Sequence, residues 1–359
     1  MRAVAVIPGT PRSARLLDLP LPRARRGEVL LRVLRVGVDG TDSEIDAGHI
    51  GQAPPGEGML ILGHESFAQV ERVPDGVRGF RPGDTVVATV RRPCPQRCVN
   101  CVGGENDMCR TGGFRERGIK GLHGFLQEFT TELPQYLVKV PRVFREVGVL
   151  LEPLSIVEKG IRQAEAVQRR LLWRPRRAAV LGAGAIGLLG TLLLRLRGLA
   201  TTTFALDAAE SPRAAAVRRT GARYVDARER DVRAVAAGDG PFDLILEATG
   251  ASPVAFAAIE ALAPNGVLCL MGVSAGDRRL EIPADRLNLH LVLNNQVVFG
   301  TVNANLRYFV QGIRDFAAAE RRWPGLLRSL ITKVLPPEAF REALNRDPAD
   351  IKTVVDFAA

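Results

Sequence analysis

The chain is poor in lysine, in aromatic residues and in long apolar runs, and each shortage excludes something. No apolar stretch approaches the roughly 18 residues of a membrane span, and the opening MRAVAVIPGTPRSARLL lacks a signal-length hydrophobic segment. A cytoplasmic chain with no membrane partner is therefore expected. Only Lys120, Lys139, Lys159, Lys333 and Lys352 are lysines, so 44 of the 49 cationic residues are arginine. The formal charge of +10 accordingly reads as arginine-rich coding rather than a basic face. A nucleic-acid surface clusters its cations and interleaves aromatic rings, whereas here the cations are scattered and aromatics make up 5%. No nucleic-acid partner is expected. The remainder, 46% hydrophobic and 25% charged over 359 residues, is that of a folded protein with about two domains.

Cysteine is scarce too, but it is concentrated. Four of the five fall in CPQRCVNCVGGENDMC as Cys94, Cys98, Cys101 and Cys109, while Cys269 lies alone in GVLCLMGV. In a long chain with no secretory leader, such clustering points to metal rather than to disulfides. Four thiolates this close in sequence wrap one tetrahedral zinc at about 2.3 Å and leave no open position, so the site would be structural.

The first part of the chain reads as β-rich, with VAVI, EVLLRVLRVGV, FAQVERV and DTVVATV as short alternating runs bounded by Gly, Pro and Asp. Near Leu150 the texture changes. SIVEKGIRQAEAVQRRLLW has helical spacing, and TTTFALD, FDLILEATG and GVLCLMGV are strand candidates separated by helical stretches, the pattern of a parallel α/β sheet. From Leu306 an amphipathic helix leads to IKTVVDF, a short strand expected to return to the first domain.

Gly182-Ala-Gly184-Ala185-Ile186-Gly187 follows one strand and opens a helix, which is the context a dinucleotide fingerprint needs. Gly182 permits the tight turn, Gly184 admits a pyrophosphate to the backbone, and Gly187 lets helix and strand pack; the helix N-terminus then faces the phosphates. Asp207 ends the next strand, where an acid accepts the adenosine ribose hydroxyls and repels a 2′-phosphate. NAD is thus preferred, with NADP possible because Arg213 lies close enough to stack on adenine or meet a phosphate.

A second set of candidates is dispersed: Asp39 in GVDGTD, His64 and Glu65 in LILGHES, and Glu152 in LLEPLS. Singly, each has a bland reading as a solvated or locally satisfied polar group. His64, however, sits in an apolar strand context beside an acid, and Glu152 follows Val149-Leu150-Leu151; burying such acids without a cation is costly.

In their order along the chain, GVDGTD, GHE, the cysteine lobe, EPLS, GAGAIG and IKTVVDF resemble the zinc-dependent medium-chain alcohol dehydrogenases. APPGEGMLILGHE, TVRRPC, FRERGIKGLHGF, EPLSIVEKG and VFGTVNAN resemble their glucose dehydrogenase branch. The resemblance implies an α/β fold class: a GroES-like β-rich catalytic domain, here residues 1–155 and 309–359 with a zinc lobe at about 91–115, and a Rossmann domain with a doubly wound parallel sheet at 156–308. It implies two zinc ions per chain. Asp39 and His64 would be ligands of the catalytic zinc, Glu65 and Glu152 ligands or exchangeable ligands, and the four cysteines would hold the structural one. Thr41 matches the hydroxyl that relays the substrate proton, and Asp42 the acid that orients the zinc histidine. Glu116 and Asn303 match contacts to sugar hydroxyls, with Thr41 and Glu152 beside the substrate and Thr249 and Asn303 beside the cofactor. Most of the superfamily has Cys where this chain has Asp39, and the oxygen ligand makes the site harder. The implied activity is hydride transfer from a sugar or polyol hydroxyl, glucose-like and giving the lactone, to NAD(P) in a homodimer or homotetramer. Another cyclitol, aminosugar or secondary alcohol is the alternative substrate, and a zinc-free NAD(P)-binding reductase the distant one.

Overall fold

The computed structural model describes residues 1–273 and 276–358. Its chain divides into two compact units, Met1–Ser155 with Asn303–Ile313 and Leu327–Ala359, and Ile156–Val302 with Arg314–Leu326. The sequence expectation put the last crossing at 308/309. In the structure the chain crosses at 302/303, again at 313/314 inside the amphipathic helix Leu306–Arg322, and for the last time at 326/327. The reason is packing. Gly312 lies so close to Leu151 that an added Cβ would stand 2.7 Å from its side chain, whereas Asp315 and Arg322 reach Arg197 and the Arg195 carbonyl.

The first unit is built on a seven-stranded sheet whose main path runs Leu137–Lys139, Thr85–Ala88, Glu65–Arg72, Val29–Val38, Lys352–Asp356, Ile331–Leu335, with Phe129–Glu132 also paired to Val29–Val38. The ten-residue strand Val29–Val38 is the hub. It receives Glu65–Arg72 antiparallel on one side and the C-terminal strand Lys352–Asp356 antiparallel on the other. Alternation along it, Val29, Leu31, Val33 and Val36 buried, feeds one core with Val70, Val86, Leu126 and Val355. A small sheet of Arg91–Arg92, Arg115–Arg117 and Gly121–Leu122 frames the cysteine lobe.

The second unit is a six-stranded parallel sheet in the order Arg223–Asp226, Ala200–Ala205, Arg177–Leu181, Phe242–Glu247, Leu262–Leu270, Val297–Gly300. The order reverses direction at Arg177–Leu181, the topological switch point at which doubly wound sheets bind ligands. The fold class is therefore α/β, a β-rich domain joined to a doubly wound one.

Arginine enters the interior of the first unit in pairs. Glu132, on Phe129–Glu132, accepts from Arg92 and from Arg117 Nε at 3.0 Å, and all three side chains are buried. Burial works against the charge, but the two guanidinium groups hold the Glu132 carboxyl below its ordinary value of 4.5. A depressed carboxylate contributes stability that is complete above the unfolded value and is lost as pH falls through the folded one. Glu132→Ala, which leaves two buried guanidinium groups unbalanced, is expected to cost about 3–5 kcal/mol at pH 7. Denaturant titration should show the gap to wild type narrowing below pH 4.5; a gap that stays constant with pH would contradict the ion-pair account.

Candidate active site

Asp39 follows directly on the hub strand Val29–Val38, and its carboxylate does two jobs. It caps the helix Gly40–Asp46, Oδ1 accepting from Thr41 N at 2.7 Å, while Asp39 N donates to the Asp42 carboxylate at 3.2 Å. This capping box turns Asp39 Oδ2 towards His64, whose Nε2 lies 3.6 Å away, and Thr41 Oγ1 donates to the same Oδ2 at 3.4 Å. His64 is the buried member of the four histidines; His49 pairs with Glu44 and His123 with Glu57, both at accessible positions. The turn ahead of it is fixed by close backbone packing, since a Cβ on Gly124 would lie 2.3 Å from the Gly63 carbonyl oxygen.

Asp42 is fully buried, with Oδ1 accepting from Gly63 N at 3.0 Å and standing 3.9 Å from His64 Nδ1. That separation is a charge contact and not a hydrogen bond, and Nδ1 has no hydrogen-bond partner among the described residues. Glu65 faces Gly37 across the strand pair, and both its oxygens accept from Lys352 Nζ, at 2.6 and 2.7 Å. A Cβ on Gly37 would stand 1.9 Å from Glu65 Oε2, so a larger residue there would push the carboxylate out of its present place against Lys352. Glu152 is buried in the first turn of Leu151–Val167 and interacts electrostatically with His64, Glu65, Asp39 and Lys352.

The electrostatics favour added positive charge. Burial pushes the Glu152 carboxyl up to about 8, and Glu65 and Asp39 add to the rise; burial likewise pushes Asp42 up to about 6. Burial works against charge on His64 as well, yet the Asp39 carboxylate raises the imidazole well above its ordinary value and is itself held far below the usual range. Ligand atoms of Asp39, His64 and Glu65 lie within 4.8 Å of one another, a donor set that fits a divalent cation. Glu152 stands beside that trio rather than in it, and Glu65 is engaged by Lys352. Lys352 and Gly37 belong to this cluster although no local pattern marks them as part of it. The one available signal was the rarity of lysine, which makes Lys352 in IKTVVDF conspicuous.

The thiol cluster also fits a metal. Cys94, Cys98, Cys101 and Cys109 are free thiols whose sulfurs lie within 4.8 Å of one another. Two backbone amides, Cys94 N and Cys98 N, point at the sulfurs of Cys101 and Cys94 at 3.4 Å, which is how a chain stabilises thiolates.

In the second unit the three fingerprint glycines have separate duties. Gly182 turns with φ +103°, and a Cβ on Gly187 would fall 2.0 Å from the Gly182 carbonyl oxygen. Gly184 has no atom within 4 Å of an added Cβ, so the start of the helix Ala185–Leu196, with Ala185 and Ile186 in its first turn, is open. Asp207 pairs with Arg213 at 3.0 Å, and Tyr224 donates its hydroxyl to the Asp207 carbonyl at 2.6 Å. Thr249 is committed to the buried Glu247, which accepts its amide at 2.7 Å. Asn303 belongs to the first unit, where its Nδ2 donates to Glu116 Oε1 at 3.1 Å.

Comparison with known proteins places these features in a family. Residues 25–142 match the alcohol dehydrogenase GroES-like domain and residues 145–357 the glucose dehydrogenase C-terminus. A glucose 1-dehydrogenase of Methanocella arvoryzae is 47% identical over 359 residues, all of both chains, and glucose 1-dehydrogenase 1 of Caldivirga maquilingensis is 46% identical over 99% of each. The structure of Haloferax mediterranei glucose dehydrogenase in complex with NADP, zinc and gluconolactone superposes with a TM-score of 0.92 at 36% identity over the whole of both chains. With both halves matched and the identity spread end to end, the chain belongs to the glucose dehydrogenase family of the zinc-dependent medium-chain alcohol dehydrogenases.

Proposed function

We propose that the chain is a zinc-dependent sugar dehydrogenase that oxidises the anomeric hydroxyl of glucose or a close analogue to the lactone, with NAD(P) as hydride acceptor. The observation that carries this reading is the convergence of Asp39, His64 and Glu65, whose ligand atoms lie within 4.8 Å of one another, with Glu152 and Lys352 against them. The glucose dehydrogenases to which the chain is similar, one of them seen with NADP, zinc and gluconolactone, support it.

A zinc ion held by Asp39 and His64, with Glu65 or Glu152, would supply Lewis acidity at the reacting hydroxyl, and the nicotinamide would accept the hydride. The chain does the rest. Thr41 Oγ1, within reach of Asp39 Oδ2, is the group that relays the departing hydroxyl proton, accepting it as its own hydroxyl hydrogen passes to the cofactor ribose or to water. Lys352 Nζ donates to both oxygens of Glu65, at 2.6 and 2.7 Å, and so competes with a metal for that carboxylate. Glu116 Oε2 accepts no hydrogen bond among the described residues and offers itself to a ring hydroxyl, with Asn303 at its side. The four cysteines hold a second zinc that staples their lobe and takes no part in the chemistry.

Asp207 gives NAD the advantage over NADP, tempered by its Arg213 partner. A second copy of the chain is the partner we assign to the sheet edge Val297–Gly300 and the helix Ala284–Leu293. There Leu289, Val292 and Leu293 are exposed, and an apolar patch beside an open strand edge favours burial. Among the described residues no helix is long and apolar enough to cross a membrane, and a cytoplasmic location agrees with four free thiols in a metal-binding arrangement.

Assay of the purified protein on a panel of sugars, polyols and simple alcohols with each cofactor tests the reading. Glucose or a near epimer should give the highest kcat/KM; best activity on unsubstituted alcohols would sink the sugar assignment and leave the dehydrogenase. Glu116→Ala and Asn303→Ala should each lower kcat/KM for the sugar about tenfold or more, the factor given by 1.4 kcal/mol of lost transition-state binding.

Metal analysis should find two zinc ions per chain, with the Asp39/His64 ion lost first to chelators. His64→Ala should abolish turnover while NAD still binds, as read by quenching or calorimetry; surviving activity would remove His64 from the ligand set. For the cofactor, kcat/KM should favour NAD, and Asp207→Asn should narrow the ratio. Equal efficiency with NAD and NADP in the unaltered protein would refute the role given to Asp207.

A further inference from the structure

The loop between the third and fourth cysteines reaches well beyond its own lobe. Glu105 Oε2 and Asp107 Oδ1 both accept from the Asn305 side-chain amide, at 2.8 and 3.0 Å, and the Gly104 carbonyl lies 3.4 Å from the same nitrogen. Arg307 adds an ion pair to Glu105, with Nη2 at 2.6 Å from Oε2. On the loop's other side, the buried Arg91 donates Nη1 to the Asp107 carbonyl at 3.0 Å and Nε to Glu116 Oε1 at 3.0 Å. Asn106 donates back to the Arg91 carbonyl at 2.7 Å, and the guanidinium lies over Phe114, 3.7 Å from the ring centroid. The circuit closes at Asn303, whose Nδ2 donates to the same Glu116 Oε1. Asn303 and Asn305, two residues apart on one segment, are therefore tied to the cysteine loop by two routes.

We infer that Arg91 and Asn305 are positioning residues for the sugar: they transmit the shape of the cysteine lobe to Glu116 and Asn303 and so leave Glu116 Oε2 as a single, fixed acceptor for one ring hydroxyl. This rests on the reading of Glu116 and Asn303 as hydroxyl contacts. Three N–H groups, two from Arg91 and one from Asn303, crowd Oε1, so the carboxylate cannot turn without leaving a buried charged donor unpaired. Asn303 itself stands at φ +58°, a left-handed conformation open to asparagine, and the Asn305 anchor ties down the same segment two residues on. An acceptor-only oxygen selects a hydroxyl that donates, and discriminates against an analogue with hydrogen or fluorine at that carbon. The lobe thereby has a second duty: it is a wall support of the sugar subsite as well as a staple of the fold.

The test uses the zinc-loaded full chain. Asn305→Ala should raise KM for glucose about tenfold or more with kcat within about threefold, while the NAD dissociation constant and the zinc content stay at wild-type values. Arg91→Lys keeps the charge but loses the fork that spans Asp107 and Glu116, and should give the same split. A series of monodeoxy and deoxyfluoro glucoses supplies the readout that loss of stability would not move. Wild type should be impaired by substitution at one ring carbon in particular, and Asn305→Ala should flatten that preference. If Asn305→Ala does not fold, Glu105→Gln, which removes only the charge of one acceptor, should give a smaller rise in KM of the same kind. Unchanged KM and unchanged deoxy preference, or a parallel fall in kcat and cofactor affinity, would overturn the inference while sugar oxidation stands. A wild-type protein inert towards every sugar would overturn both.

Discussion

Four carboxylates, Asp39, Asp42, Glu65 and Glu152, crowd around one imidazole and one ammonium group, and the first unit is arranged so that this excess of buried negative charge survives folding. Each acid is restrained differently. Asp39 is fixed by capping a helix, Asp42 by the amides of Gly63 and Asp39, and Glu65 by Lys352, while Glu152 is pushed towards its neutral form by burial. The donor atoms of Asp39, His64 and Glu65 converge within 4.8 Å, and at that point a divalent cation would take the place of the protons that burial and mutual repulsion now hold on the cluster. The sheet order serves this electrostatic arrangement. Strands Glu65–Arg72, Val29–Val38 and Lys352–Asp356 lie side by side, and that adjacency alone brings residues 39, 65 and 352 together.

The same economy recurs with arginine. The composition suggests a strongly basic protein, yet several arginines are spent inside the first unit, Arg92 and Arg117 on Glu132 and Arg91 on Glu116. A guanidinium suits this use because its fork satisfies two acceptors at once and stacks on a ring, as Arg91 does on Phe114 and Arg92 on Tyr136. Buried ion pairs contribute less to net stability than to geometry, since desolvation offsets much of their attraction. Their value here is that they hold carboxylates in one orientation, which an apolar filler could not do.

How much was legible in advance depended on sequence distance. The glycine fingerprint is local: Gly182, Gly184 and Gly187 carry their requirements within six residues, so the turn and the open helix start follow from the string itself. The thiol cluster is nearly as local, its four donors falling within sixteen residues. Asp39, His64, Glu65 and Glu152 were singled out by burial logic and by resemblance, because nothing in their own neighbourhoods joins them. Lys352 and Gly37 escaped notice for a related reason. Gly37 matters because Glu65 on the next strand occupies the space of its missing Cβ, and Lys352 because its strand lies on the far side of Val29–Val38.

The sequence by itself determined the class of fold, the alternation that builds each sheet, the dinucleotide turn and the thiol lobe, since these arise from periodicity and short-range sterics. Tertiary structure alone decided which carboxylates meet, which oxygen of Glu116 remains open, and where the chain passes from one unit to the other within a single helix. Those outcomes depend on strand order and on contacts between residues hundreds of positions apart, such as Glu65 with Lys352 and Glu116 with Asn303. No local pattern encodes such a pairing, because the energy that fixes it exists only once both partners have been taken out of water.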